Sequence, residues 1–517
     1  MISQQLYEYI SGWLAESVLK LYARQNPNTN RKLTGCGRSK KSAEYYTGII
    51  SRLSWEAMCR NSESCILTDQ IRLYVYNGRF FESVDNPRSF IRQALKEMFL
   101  RLEIGEYVHR TSVLDNISKE CTETILNSSR YLYIPDRKYI AFENRIFNLD
   151  TGRALEFNIK YRPFIHLDIE YHEQEELYRL CEQKYGYALN PCRLWDKTIG
   201  AKPINGAVPG ILPNDNIRED FRQWCGTILL DPERFKSEYA CFLYGPGANG
   251  KSVLANVIGA VFGEKYVSRL TITQLFKEAN GQEANLASLK GKLVNLVGDM
   301  TDTDLSSNSL FKEFASKGLM EVRVPYATAP IKVAATPLLC CTNKIPESKD
   351  DSEGFHRRFM VIATTKYQYK GEDRDPQLTA KLSAPEARMY IFHWIYKGYR
   401  KVVRNGGDID LSDDTRYLNE AIADESNSVR RWWARQGYIP VMYPEPKNDP
   451  RWRSVMSLYN EYRSYAEQEG NRAVRYQDFL SMLRNRGFSQ ESGNEKKLRG
   501  AGLGVCIEKP QESELEK

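Results

Sequence analysis

No stretch of this 517-residue chain approaches the roughly 20 consecutive apolar residues that a membrane-crossing helix needs, which argues against an integral membrane protein. The opening MISQQLYEYISGWLAESVLKLY is amphipathic and carries Glu8 and Glu16, unlike a secretory signal, so a cytoplasmic protein is expected. CxxC pairs are missing too. The eleven cysteines are scattered, and Cys59 and Cys65 have no second pair with a nearby histidine to complete a zinc site. Reduced thiols are expected, and the adjacent Cys340 and Cys341 read as small buried hydrophobes within an apolar run. No internal repeat is present. Nor is there a strong excess of one charge: a net +7 permits nucleic-acid binding without requiring it.

The residues that are present, 42% hydrophobic and 27% charged, have the balance of a globular protein and not of a disordered one. The length implies about three folded units at roughly 100 to 200 residues each. After the first helical pattern, QNPNTNRKLTGCGRSKKS is polar, basic and rich in turn formers, and reads as an exposed arm closing a segment 1–42. Residues 43–220 read as a mixed α/β domain. It holds a hairpin at Asn77-Gly78 and a small β element with turns at Pro135-Asp136 and Asp150-Thr151-Gly152. The Pro- and Gly-rich stretch 173–215 reads as a loop or insertion. Residues 221–405 read as a third segment, in which short apolar strands alternate with helices from Glu238 to about Tyr367, the pattern of a parallel sheet covered by helices. The turn-rich NGGDIDLSDD then reads as a linker to a last domain at 415–517.

The chemistry concentrates in the third segment. YACFLY runs directly into Gly245-Pro246-Gly247-Ala248-Asn249-Gly250-Lys251-Ser252, a full GxxxxGK[ST] motif, followed by Val253 and an amphipathic helix stopped at Gly263. The glycines let backbone amides turn toward phosphate oxygens, and the helix N-terminus adds partial positive charge. Gly245, Gly247, Asn249, Gly250, Lys251, Ser252 and Val253 are therefore expected to hold ATP. Lys251 would reach the β- and γ-phosphates, and Ser252 would hold Mg²⁺. A second strand, KLVNLVGDM, ends at Asp299, a candidate magnesium and water-activating carboxylate with which Asp302 and Asp304 compete. A third, VAATPLLCCTN, ends at Asn343, whose amide can hold the γ-phosphate and the lytic water. Arg357 and Arg358 in GFHRRFMVI are candidates for an arginine that stabilises the phosphoryl group in a neighbouring subunit.

The order and spacing of these pieces between Gly245 and Arg358 resemble the superfamily 3 helicases, in particular the poxvirus-type helicase domain of phage and plasmid primase-helicases. NRIFNLDTG and IREDFRQWCGTILL upstream, and VRRWWARQGYIP, SLYNEYRSYAEQEGN and YQDFLSMLRNRGF downstream, resemble the flanks of the same proteins, so the resemblance covers about residues 45 to 510. It implies an AAA+-like α/β P-loop NTPase core, a mixed α/β N-terminal domain and an α-rich, winged-helix-like C-terminal domain. It also implies a homo-oligomeric ring, hexameric, that translocates on single-stranded or forked DNA in the cytoplasm of a bacterial host. The segment FKEFASKGLMEVRVPYATAPIKV matches the family's pore-lining segment, which makes Lys317, Arg323, Tyr326 and Lys332 the DNA-contacting candidates. Two departures stand out: Gly298-Asp299 replaces the family's Glu or acidic pair, and His356 replaces the aromatic before the finger arginine. The N-terminal region offers no carboxylate and histidine set for a primase, so any primase would be a separate partner. Alternative readings are a replication initiator that uses nucleotide without processive unwinding, and a P-loop ATPase that remodels protein.

Overall fold

Apolar runs without alternation and helical stripes of period 3.6 separate cleanly in the computed structural model. It describes residues 4–28, 32–36, 38–60, 65–68, 72–105, 111–127, 137–200, 208–235, 237–276, 282–299, 308–316, 319–323, 330–344, 357–426, 428–440, 452–470, 473–485, 490–491 and 504–508. The chain divides into two compact units, Met1–Tyr171 and His172–Lys517. The division at 171 falls inside the segment 43–220 read above as one domain. No helix among the described residues is long and apolar enough to cross a membrane.

In the first unit, helices α1 (Gln4–Gln25), α2 (Lys40–Arg60), α3 (Pro87–Arg101) and α4 (Thr111–Leu126) share one core with an antiparallel sheet of β1 (Ile66–Thr68), β2 (Leu73–Tyr76) and β3 (Phe81–Val84). Leu6, Ile10, Leu14 and Val18 recur four apart on α1 and are fully buried, which ties the first helix into this core. In the expected arm most described residues are exposed, among them Lys32, Arg38, Ser39 and Lys41, but two are anchored. Leu33 and Cys36 are buried, and the Gly35 amide donates to the Leu102 carbonyl at 2.9 Å. At the β2–β3 hairpin the Asn77 side chain accepts from the amides of Arg79 and Phe80, both at 3.0 Å. Gly78 beside it takes φ 98°, where a Cβ would strain the turn. A second sheet has the order β6 (Arg153–Leu155), β5 (Ile146–Asn148), β4 (Tyr139–Ala141), β7 (Ile165–His166). Its β5–β6 turn is held by Asn148, which accepts from the amides of Asp150 and Thr151. The Pro135-Asp136 turn lies outside the described residues.

The second unit begins with helices where a loop was expected. These are α5 (Gln174–Leu189) and α6 (Pro191–Ile199). Here proline and glycine mark the ends of a helix: Asn190 caps α6, Pro191 occupies its first turn and Gly200 ends it at φ 101°. Helix α7 (Asp215–Gly226) follows. Next come β8 (Ala240–Tyr244), α8 (Lys251–Phe262), β9 (Val267–Ser268), α9 (Ile272–Phe276), α10 (Gln282–Ser288), β10 (Val294–Asp299) and α11 (Asn308–Ala315). A hairpin of β11 (Leu319–Val322) and β12 (Ile331–Ala334) leads to β13 (Leu338–Thr342) and β14 (Phe359–Ala363). Five of these strands form one sheet in the order β14-β8-β13-β10-β9, every pair parallel. Continuous apolar runs suit strands buried on both faces. One face packs Phe242, Val297, Cys340 and Val361 against Ile272, Phe276, Phe311 and Phe314. The other receives α8, whose Gly259 lies so close that a Cβ would be 2.7 Å from Leu296.

Helices α12 (Leu378–Leu382) and α13 (Pro385–Arg404) close this layer. A Cβ at Gly398 would meet the Arg222 carbonyl oxygen at 2.0 Å, and one at Gly226 the Tyr399 amide at 2.2 Å, so α7 and α13 cross backbone to backbone. The expected linker after α13 is strapped down. Buried Asp220 accepts from the Ser412 amide (3.0 Å) and hydroxyl (2.6 Å), and Gln223 bonds the Asp410 backbone in both directions. From α14 (Asp413–Ser426), Asn419 accepts from the Val361 amide and donates to the Phe359 carbonyl, giving edge strand β14 partners it would otherwise lack. The C-terminal helices α15 (Ser428–Gln436), α16 (Val455–Gln468) and α17 (Tyr476–Asn485) meet around Trp432, Tyr462 and Phe479. They accompany a small antiparallel sheet of β15 (Ile439–Pro440), β16 (Trp452–Ser454), β17 (Gln490–Glu491) and β18 (Gly504–Glu508).

Candidate functional site

Because the five strands are parallel, their carboxyl ends share one edge of the sheet, and the glycine-rich loop leaves from that edge. Register makes the neighbourhood explicit: Tyr244, the last residue of β8, lies opposite Thr342 on one side and Ala363 on the other. Asn343 therefore emerges beside the loop and is exposed. On β10 the pairing slips between Val297 and Asp299, so Gly298 bulges and Asp299 pairs with Cys341 at the same edge. The Asp299 side chain lies outside the described residues, as do Asp302 and Asp304.

The loop is held in a shape that few residues tolerate. Gly250 takes φ 90°, and a Cβ there would meet Ile211 at 2.5 Å; Ala248 takes φ 60° without being glycine. Gly245 is equally confined, since a Cβ would meet the Thr364 hydroxyl at 2.3 Å. Gly247, by contrast, is exposed with nothing within 4 Å of its Cβ position, so the mouth of the loop is open. The first bond within α8 runs from the Leu254 amide to the Gly250 carbonyl (3.0 Å), which places the amides of Lys251, Ser252 and Val253 at the helix N-terminus. Ser252 is exposed there and Val253 half-buried.

Lys251 is only 4% exposed. Its ammonium donates to the Gly245 carbonyl (2.8 Å), the Pro246 carbonyl (2.7 Å) and the Asn249 side-chain oxygen (3.0 Å). Loop dipoles thus solvate a buried cation. The Asn249 amide donates onward to the Thr364 hydroxyl (2.6 Å) and the Thr365 carbonyl (3.1 Å), and Thr364 donates to the Tyr244 carbonyl (2.9 Å). Nearby, the Tyr369 amide donates to the Ala248 carbonyl (2.8 Å) and its hydroxyl to the Pro209 carbonyl (2.9 Å). Burial pushes the Tyr369 phenol up to about 12, which keeps that donor protonated. Sequence reading missed Thr364, Thr365 and Tyr369. They stand more than a hundred residues from the loop and follow no motif; only the β14–β8 pairing brings them there.

The remaining candidates lie elsewhere. Arg357 and Arg358 precede β14 at the amino edge of the sheet, opposite the loop. Arg358 is buried and donates to the Ser316 hydroxyl (2.8 Å), with Glu238 at 3.8 Å, whereas Arg357 is exposed and lies 3.2 Å from Glu238. Arg323 and Lys332 are both exposed on the β11–β12 hairpin, whose Met320, Val322 and Val333 face the core. Glu321, also exposed, pairs directly with Lys332, a carboxylate not anticipated from the sequence. Lys317 and Tyr326 lie outside the described residues. A separate polar cleft of about 370 Å³ is lined by Asp196, Asp215, Glu219, Arg218, Arg222 and Lys397, signs in balance that select no ligand charge.

A family of unknown function (DUF5906) matches residues 243–358, from the end of β8 to Arg358. No curated protein matches the chain. Among solved structures, the A-form apo structure of the NrS-1 C-terminal region is similar at 11% identity with a TM-score of 0.37, covering 86% of this chain and 96% of that one. The A-form apo structure of its 305–718 portion is similar at 13% identity and a TM-score of 0.34, covering 57% and 72%. TM-scores this low do not define a common fold, so the functional reading rests on this chain's own residues.

Proposed function

We propose that this protein is an ATP-hydrolysing replicative DNA helicase of a phage or mobile element, a P-loop NTPase of the superfamily 3 type. It would work as a homo-oligomeric ring on single-stranded DNA in the host cytoplasm. The observation that carries the reading is the loop Gly245–Ser252, leaving the carboxyl edge of a parallel sheet for a helix N-terminus with Lys251 buried at its centre. The donor set fits a nucleotide triphosphate and magnesium. An open loop mouth, helix amides and a buried ammonium suit phosphate oxygens, and the exposed Ser252 hydroxyl with a carboxylate on Asp299 suits a hard cation. Magnesium bound there would offset the charge that develops on the phosphoryl oxygens.

The chain's own residues divide the remaining work. Lys251 exchanges its loop carbonyls for phosphate oxygens, and Asn343, at the same edge, orients the attacking water. Arg357, at the opposite edge, is suited to the nucleotide of a neighbouring subunit. Arg323 and Lys332 present charge to a phosphate backbone.

Steady-state ATP hydrolysis of wild type and Lys251→Ala, with and without single-stranded DNA, tests the reading. Turnover stimulated by DNA and abolished in the variant is expected. An active Lys251→Ala protein would overturn the site, and turnover indifferent to DNA would replace translocation with initiation or protein remodelling.

A further inference from the structure

We infer that Thr364 is a positioning residue for Lys251, acting through Asn249; the inference rests on the nucleotide-binding reading above. The contacts form a directed relay. The Thr364 hydroxyl has one proton, which it gives to the Tyr244 carbonyl (2.9 Å), so toward Asn249 it can only accept. The Thr365 carbonyl 3.1 Å away also only accepts. Both therefore face the NH₂ side of the Asn249 amide, and that turns its oxygen toward the Lys251 ammonium at 3.0 Å. Asn249 is 1% exposed and Thr364 7%, so water does not substitute for these partners. The opposite amide orientation would aim an NH₂ group at the buried ammonium.

The relay is anchored at both ends of its span. Tyr244 is the last residue of β8 and Thr364 the first after β14, adjacent strands whose register is set by the Ala363–Tyr244 pair. The Thr364 amide also donates to the Tyr244 carbonyl (2.9 Å), so backbone and hydroxyl converge on one acceptor at the root of the loop. Gly245 is held free of a side chain by the same hydroxyl, at 2.3 Å from its Cβ position. Thr364 thus sets the path of the loop and the orientation of the Asn249 side chain that bonds Lys251.

Thr364→Val removes the hydroxyl at nearly constant volume, and Thr364→Ser restores it. Two measurements on the full chain follow both variants, wild type and Lys251→Ala: equilibrium ATP binding in EDTA, and the kcat and KM of hydrolysis with Mg²⁺. Thr364→Val is expected to weaken binding by about five- to tenfold, the worth of one buried hydrogen bond, and to raise KM in step. Thr364→Ser returns both to within about twofold of wild type; the unfolding midpoint falls for Thr364→Val, which leaves the buried Asn249 amide short of an acceptor, and is largely restored in Thr364→Ser. Wild-type binding by Thr364→Val, or an equal loss in Thr364→Ser, overturns the positioning role. If wild type and Lys251→Ala bind and hydrolyse ATP alike, the nucleotide site itself is wrong, an outcome separate from failure of the relay.

Discussion

Replacing Arg357 should abolish hydrolysis in a way that a second, differently damaged subunit can repair. Strand β14 runs parallel to β8 from the Phe359–Ala240 pair to the Ala363–Tyr244 pair, a span of about 13 Å at about 3.3 Å per residue. Arg357 lies two residues before that span and the loop lies beyond it, so the guanidinium cannot reach a nucleotide held by its own chain. Arg358, buried against Ser316, is not presented to a neighbour at all. Arg357→Ala should therefore leave ATP binding within about twofold of wild type while kcat falls roughly 10³-fold or more, the range for a transition-state arginine. Arg358→Ala should instead destabilise the fold by about 2–3 kcal/mol, through the lost charged hydrogen bond and the lost packing of its stem. The decisive assay mixes Arg357→Ala with Lys251→Ala subunits, each inactive alone. Random assembly at equal ratio puts an intact Lys251 against an intact Arg357 at about a quarter of the interfaces, and activity should return to about that fraction. A mixture as dead as its components would refute action between subunits.

On the hairpin, replacing Arg323 and Lys332 together by alanine should weaken single-strand binding and lower the magnitude of its salt slope by roughly 0.7 per lost phosphate contact; an unchanged slope would place the DNA elsewhere. Gly398→Ala should destabilise the second unit by about 1–3 kcal/mol, because the new Cβ meets a backbone oxygen and the α7–α13 crossing must open. A urea midpoint equal to wild type would show that the two helices separate without cost. His393 donates from Nε2 to the His172 carbonyl at 2.7 Å, and burial, ahead of its neighbours, lowers its pKa from the usual 6.5. The unfolded chain then binds the proton more readily, so the His393 contribution is complete above about pH 6.5 and is lost as pH falls below it. Unfolding midpoints measured between about pH 7.5 and 5 should fall less steeply for His393→Gln than for wild type, and equal slopes would exclude this role.

The sequence by itself determined the parts that depend on local order. The loop Gly245–Ser252 needed only a contiguous motif, β8, β10, β13 and β14 needed only short apolar runs, and α8 ended at Gly263 as its stripe required. The hairpin at Asn77-Gly78 was legible for the same reason: one side chain and one positive φ make it. Composition misled where local signals have two meanings. Pro191 and Gly200 mark the ends of a helix as readily as a loop, and what separates the two is the burial of Cys192, Trp195 and Ile199, a tertiary property. The same holds for Leu33, Cys36 and the strap at Asp410–Ser412, polar stretches pinned by partners far along the chain. Tertiary structure alone decided that Arg357 is exposed and Arg358 buried, that Glu321 faces Lys332, and that Thr364 stands beside Asn249. The physical reason is parallel pairing: strands more than a hundred residues apart become neighbours through hydrogen bonds that carry no residue-specific signature, and the loop inherits partners that no motif announces.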